Sequence, residues 1–202
     1  MKRQNIRKML LILSFLLFPV TIYYLSPYLI IQGASEGIAT GSFVVFSLLF
    51  LASLFFGRLF CGWICPVGGL QECCRIVSDK KAKGQKRDWI KYLIWAPWLI
   101  LIAVVLIKSG GVKVVDFFYQ TVYGISVAEP SGYIIYYFVI LLIIILAFTA
   151  GRRSFCHYAC WIAPFMVIGR KISNWTRIPS LRLAVEKKNC ISCKQCNSKR
   201  GA

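Results

Sequence analysis

Two stretches decide how this chain reads: Gly57-Arg58-Leu59-Phe60-Cys61-Gly62-Trp63-Ile64-Cys65-Pro66 and Gly151-Arg152-Arg153-Ser154-Phe155-Cys156-His157-Tyr158-Ala159-Cys160. Each opens on Gly-Arg, carries Phe-Cys-x3-Cys and follows a long apolar run. The chain therefore reads as an internal repeat: helix, outer loop, helix, cysteine segment, twice over. Repeats related by an axis along the membrane normal would bring both cysteine pairs toward the centre of one face. Residues four apart on a helix share a face, with Cβ atoms roughly 5–6 Å apart. Each pair can thus present two thiols to one metal or redox centre. Pro66 cannot continue a helix without losing a hydrogen bond, and it biases Cys65 away from helical angles. The first pair is expected at a break where the chain re-enters. In the second copy Trp161 follows Cys160, and proline arrives only at Pro164.

Around these segments the chain is unusually apolar. Of 202 residues, 58% are hydrophobic and 16% charged, with 25 Lys and Arg against 7 Asp and Glu, a net charge of +18. Soluble domains run nearer ~45–50% apolar and ~25% charged. Disorder, a collagen and a disulfide mini-protein are excluded, and long uninterrupted apolar runs argue against nucleic acid as the partner of the basic charge. Membrane lipid is the expected partner instead. A spanning helix needs roughly 20 mostly apolar residues. The stretches Met9–Ile31, Gly41–Gly57, Trp89–Ile107 and Tyr133–Ala150 meet or approach this, with Lys91 able to snorkel at its helix end. Every Lys and Arg except Lys108 and Lys113 then falls on one side, which puts both termini in the cytoplasm.

The segment Phe155–Ile168 is too short for a fifth span and reads as interfacial or re-entrant. Met9–Ile31 is long for the apolar core of a signal peptide. The expected fold class is an all-α membrane protein: four transmembrane helices as two repeated helical pairs, each followed by a Cys-x3-Cys segment. Residues 1–172 form this domain, with cysteine segments at 57–72 and 151–169, and residues 173–202 form a short ferredoxin-like cytoplasmic tail.

That tail holds Cys190-Ile191-Ser192-Cys193-Lys194-Gln195-Cys196. This C-x2-C-x2-C run opens the bacterial ferredoxin motif. Soft thiolates suit an iron–sulfide core, so Cys190, Cys193 and Cys196 are the expected ligands of a [4Fe–4S] cluster. Structural zinc is the alternative, although zinc sites usually pair two separated cysteine doublets. The motif would continue to a cysteine at position 200, where Arg200 stands. Three explanations are open: the tail is cut short, a partner or one of Cys73 and Cys74 supplies the fourth ligand, or the cluster is a three-iron or labile form. The chain has nine cysteines, an odd number, and the cytoplasm is reducing, so a disulfide framework is not expected.

Cys61, Cys65, Cys156 and Cys160 are the candidates for a second redox or metal centre. The adjacent Cys73 and Cys74 diverge and read as packing residues. His157 reads as a hydrogen-bonded structural residue, with a proton relay or quinone contact as its functional alternative. Gln71 and Glu72 follow the first repeat, and Glu72 is expected to pair with a nearby arginine. Arg58 and Arg152 are expected to anchor helix ends at lipid headgroups. The run Asp79–Arg87 is expected to be a solvated loop.

With the two Cys-x3-Cys copies and the Cys190–Cys196 run in view, the chain resembles the four-helix polyferredoxin-type membrane proteins of bacteria and archaea. Among these are the NapH-type subunit of a quinol dehydrogenase, and membrane parts of nitrous oxide regulators and of oxidase assembly factors. Phe60-Cys61-Gly62-Trp63-Ile64-Cys65-Pro66-Val67-Gly68, Phe155–Cys160 and Cys190–Cys196 carry the resemblance, which extends from about Gly41 to Cys196. It implies a prokaryotic inner-membrane electron-transfer subunit rather than a complete enzyme. Such a subunit would exchange electrons with quinol or a redox partner protein. A factor that handles copper for metalloenzyme assembly is the alternative, because paired thiols suit Cu(I). A membrane scaffold with a structural zinc tail is the third reading.

Overall fold

The computed structural model describes residues 2–74, 89–128, 130–151, 153–177 and 179–181. The tail thiols Cys190, Cys193 and Cys196, the run 79–87 and Arg152 lie outside them. Helix α1, Lys2–Leu16, is followed by the four-residue α2, Phe18–Thr21, a 3-10 turn at Tyr23–Leu25, and α3, Pro27–Glu36. The single span expected over Met9–Ile31 is thus broken into four pieces. Pro19 and Pro27 each start a new helix rather than continue one.

The polar groups freed at these breaks are satisfied from the loop at 126–127. Ser126 Oγ donates to the Val20 carbonyl at 2.5 Å and accepts from Tyr23 N–H at 3.2 Å. Val127 N–H donates to the Pro19 carbonyl at 3.1 Å. Irregular backbone in an apolar environment persists only where protein groups supply such partners.

Helix α3 stops at Gly37, whose φ of 73° is left-handed. Strand β1, Ile38–Thr40, then pairs in parallel with β2, Val114–Asp116. This small sheet joins the two loops at one end of the molecule, an element that the all-α expectation did not include. Thr40 accepts from Phe43 N–H and caps α4, Gly41–Phe56.

The second half supplies α7, Ile90–Lys108, and α8, Pro130–Ala150. Ile90–Lys108 and Gly132–Ala150 are long and apolar enough to cross a membrane, while Gly41–Phe56 is apolar but shorter. Only 6% and 17% of the two longer stretches are buried, unlike the core helix of a soluble protein. Lys91 does not snorkel outward. It is 7% exposed, with its ammonium 5.5 Å from the centre of the Tyr92 ring.

Two helical hairpins pack against these helices. The first is α5, Leu59–Trp63, with α6, Pro66–Cys74. The second is α9, Ser154–Tyr158, with α10, Ile162–Trp175. Helix α6 runs antiparallel to α1. Glu72 pairs with Arg7 at 3.4 Å, Gly69 sits on the Leu11 backbone, and Ser14 Oγ donates to the Ile64 carbonyl. Helix α10 runs alongside α4 in the same direction. The Phe165 ring meets Phe46 and Phe50 edge-on at 5.7 and 6.3 Å, and Gly169 sits on Ser53.

Helix α9 doubles back along α8, where Ser154 Oγ donates to the Leu146 carbonyl at 2.6 Å. The region 155–168 therefore re-enters among the other helices and is not a span of its own. Helix α6 packs on α1 and α8, and α10 packs on α4 and α7. Each hairpin thus lies against the first helix of its own repeat and the second helix of the other. The exchange closes one core in which Leu70, Ile143, Phe155, Cys160, Ile162 and Met166 are buried together.

Candidate functional site

Both Cys-x3-Cys segments straddle the bend of a hairpin. In the first, α5 ends at Trp63 and α6 begins at Pro66, so Cys65 stands at the start of α6. In the second, α9 ends at Tyr158 and α10 begins at Ile162, so Cys160 stands just before α10 without an adjoining proline. The sulfur geometry is nevertheless the same. Cys65 Sγ accepts from the backbone N–H groups of Val67 and Gly68, and Cys160 Sγ from those of Ile162 and Ala163. Each sulfur takes up N–H groups that a helix start leaves without intrahelical partners. Each also sits at the positive end of the helix dipole. Cys65 and Cys160 are buried, at 5% and 7% exposed, while Cys61 and Cys156 are half-buried.

The four thiols are electrostatic neighbours. Cys156 senses Cys160, Cys65 and Cys61, and Cys160 senses Cys65 and Cys61. Burial pushes all four upward, Cys61 and Cys160 to about 12, and for Cys61, Cys156 and Cys160 the neighbouring sulfurs add to the rise. The positive charge of Arg153 opposes this at Cys61, Cys65 and Cys156, and that of Arg58 at Cys61. Metal binding here must therefore release protons from thiols that are otherwise neutral at pH 7. Among the described residues, no three His, Cys, Asp or Glu side chains are grouped so as to hold a single metal ion.

Gln71 lies beside this group at 2% exposed. Its Oε1 accepts from Cys156 Sγ at 3.6 Å, and its Nε2 is buried without a partner. The sequence placed Gln71 next to Glu72 but assigned it no role, because its contact crosses between the repeats. Arg153 was also missed, in favour of Arg152. Counting back from the first cysteine of each pair finds it, since Arg58 and Arg153 both stand three residues before. Arg153 takes a left-handed φ of 60° where the second hairpin starts.

Glu72 pairs with Arg7, as the sequence led one to expect of an arginine nearby. Cys73 and Cys74 end α6 as half-buried free thiols, and Cys74 packs against the main core. The His157 ring lies 6.4 Å from that of Tyr158.

One family model, described as a 4Fe–4S binding domain, matches the chain twice, over residues 38–83 and 132–179. Each match covers the second long helix and the cysteine hairpin of one repeat and leaves out that repeat's first helix. They contain Cys61, Cys65, Cys156 and Cys160 and stop short of the Cys190–Cys196 run. Two proteins of Methanocaldococcus jannaschii, both described as uncharacterized, are similar to this chain. One is 28% identical over 148 residues, 71% of this chain and 51% of the relative. The other is 30% identical over 158 residues, 75% of this chain and 62% of the relative. The chain thus spans between half and two thirds of the length of these relatives. No solved structure matches it. The doubled match to a 4Fe–4S binding domain, on the two segments whose thiols the fold gathers, supports an iron–sulfur protein family for this chain.

Proposed function

We propose that this chain is a membrane-embedded iron–sulfur electron-transfer protein, a subunit that exchanges electrons with quinol or with a redox partner. The observation that carries the reading is the placement of both 4Fe–4S domain matches on the two cysteine hairpins. The fold brings the four hairpin thiols within electrostatic reach of one another.

In this reading Cys190, Cys193 and Cys196 ligate a [4Fe–4S] cluster in a cytoplasmic tail, and Cys61, Cys65, Cys156 and Cys160 form a second redox or metal centre. A bound cluster supplies one-electron exchange. The chain's own residues bury Cys65 and Cys160, aim backbone N–H groups at both, and place Arg58 and Arg153 close by.

Embedding in a prokaryotic inner membrane, with both termini cytoplasmic, is supported by the exposed apolar faces of α7 and α8 and by the one-sided basic charge. An apolar cavity of 310 Å³ opens between α3, α4, α7 and α10, lined among others by Ile30, Phe46, Trp98 and Phe165. Its size is in the range of small-molecule sites, which is compatible with a lipophilic donor such as quinol.

The test is anaerobic purification of the full chain from membranes, followed by iron and acid-labile sulfide analysis and visible absorption. Iron and sulfide together, with a broad absorption that bleaches on reduction, are expected. Protein that lacks both refutes the reading. Stoichiometric copper that survives Cys190→Ala would establish the copper-handling alternative, and zinc alone a scaffold.

A further inference from the structure

We propose that the apolar cavity between α3, α4, α7 and α10 holds the hydrocarbon chain of a membrane-soluble ligand, and that the Trp95 indole N–H donates to a carbonyl oxygen on its head. The inference rests on the membrane embedding proposed above and deepens that reading by giving a lipophilic ligand its site.

The lining decides what can enter. Ile30, Phe46, Phe50, Ile102 and Phe165 are among its walls, and no charged side chain lines it. Its two polar side chains are already engaged within the protein. Ser47 Oγ donates to the Phe43 carbonyl at 2.9 Å, and Trp98 Nε1 donates to the Pro27 carbonyl at 3.3 Å. A charged or hydroxylated group placed there would lose its hydration and gain no partner, whereas a hydrocarbon chain has no such group to desolvate.

Size and access agree. A volume of 310 Å³ is at the lower end of the ~300–1,000 Å³ range of small-molecule sites, room for part of a long molecule. Phe43 and Leu51 line the cavity and are also exposed on the outer surface of α4. The cavity therefore opens toward the apolar faces of the helices, where the rest of a chain can lie in lipid.

Trp95 is the independent observation. Residues 95, 98 and 102 recur along one face of α7, and Trp95 stands one turn nearer the helix start than Trp98. Its ring meets Phe165 edge-on at 5.2 Å, and Phe165 meets Trp98 and Phe46 edge-on at 6.2 and 5.7 Å. Trp95 Nε1 is buried and has no partner among the described residues. An unpaired buried donor is destabilising, so it calls for an acceptor. An indole N–H can only donate, which selects a head that presents an oxygen acceptor. Phe165 also lies in the first turn of α10, directly after the bend that holds Cys160. A head at this end of the cavity adjoins the second cysteine hairpin. Two membrane components combine a long chain with a carbonyl: an isoprenoid quinone and the ester of a diacyl lipid.

The test reconstitutes the full chain in phosphatidylcholine nanodiscs and follows tryptophan fluorescence, with Trp98 in the cavity wall as reporter. Decylubiquinone is added in one arm, and phosphatidylcholine with brominated chains replaces the parent lipid in the other. Ser47→Phe fills the cavity from its exposed rim, so the difference between parent and Ser47→Phe isolates quenching inside the cavity. That difference is expected to saturate. Saturation with decylubiquinone assigns the site to a quinone, and saturation with brominated lipid alone assigns it to a diacyl lipid. Ser47→Ala should bind as the parent does. Trp95→Phe keeps a ring and removes the N–H, and should weaken the saturable binding roughly two- to tenfold, the worth of one hydrogen bond.

No saturable difference in either arm overturns the site, and an unchanged affinity in Trp95→Phe overturns the role of Trp95. Should Ser47→Phe fail to fold, Ile102→Phe fills the cavity from the α7 side. Iron and sulfide analysis of the same preparation separates this inference from the function above. Iron and sulfide without saturable quenching remove the cavity site and leave the electron-transfer reading. Saturable quenching without iron or sulfide keeps the site and removes the iron–sulfur reading.

Discussion

Gly69→Ala tests the close packing that holds the first hairpin in place. A Cβ at position 69 would meet the Leu11 carbonyl oxygen, with the Leu11 carbonyl carbon at 2.9 Å and Phe15 Cβ at 3.0 Å. The obstacle is backbone of α1, so no side chain can rotate away, and α6 must move. Overpacking of this kind typically costs about 1–3 kcal/mol. Replacing glycine by alanine inside a helix returns about 1 kcal/mol through propensity. The net is a loss of up to about 2 kcal/mol, or up to about 8 °C in Tm for a chain of this size.

Gly169→Ala provides the internal comparison. Its Cβ would meet Ser53 Oγ, a side-chain atom, with Ser53 Cβ at 3.0 Å. Removing the hydroxyl with Ser53→Ala should therefore recover at least ~1 kcal/mol of the Gly169→Ala loss, a coupling of ordinary size for residues in contact. No side-chain change at Leu11 should rescue Gly69→Ala. The assay is thermal unfolding in detergent, followed by intrinsic fluorescence, for the four single and double variants. A rise in Tm for Gly69→Ala would mean that propensity alone operates there, and that α6 does not lie against α1.

Other outcomes follow from named contacts. Ser126→Ala leaves the Val20 carbonyl and the Tyr23 N–H without their partner and should cost about 1–3 kcal/mol in the same unfolding assay, whereas Ser47→Ala on the exposed side of α4 should be near neutral. Arg7→Leu removes the Arg7–Glu72 ion pair, whose side chains are 19% and 12% exposed. A loss of about 1–2 kcal/mol is expected, partly recovered in Arg7→Leu/Glu72→Leu, and a zero coupling energy would refute the pair. Burial and Cys73 raise the Cys74 thiol above its ordinary value of 9.0. Only the thiolate reacts with maleimide, so in a variant whose sole cysteine is Cys74, where burial, the larger cause, acts alone, the labelling rate should reach half its maximum above pH 9, and a midpoint at or below pH 9 would contradict this.

Much of this architecture was readable because its signals are local. The Gly-Arg and Phe-Cys-x3-Cys pattern at 57–65 and 151–160 announced a repeat, and the same family model falls on both copies. Pro66 marked a helix start because a ring without an N–H can begin a helix but not continue one. The short apolar run at 155–168 lies in a hairpin of two helices, Ser154–Tyr158 and Ile162–Trp175, packed among the longer ones. Misreadings came where tertiary partners reverse a local cue. Met9–Ile31 has the composition of one span, yet it breaks at Pro19 and Pro27 because Ser126 and Val127 are positioned to satisfy the freed groups. Lys91 looked like a snorkelling residue and is buried instead.

The sequence by itself determined the two-copy plan, the cysteine spacing and the hairpin bends, since each depends on bonds and sterics within a few residues. Only the tertiary structure decided which helices each hairpin rests on, that Gln71 of one repeat reaches Cys156 of the other, and that thiols of the two hairpins act on one another's charge. Those contacts join residues far apart in the chain, from 58 positions for Gly69 and Leu11 to 116 for Gly169 and Ser53, with 85 between Gln71 and Cys156. They depend on how helix surfaces fit once packed, at points such as Gly69 on Leu11 and Gly169 on Ser53, and no periodicity within a single helix encodes that fit.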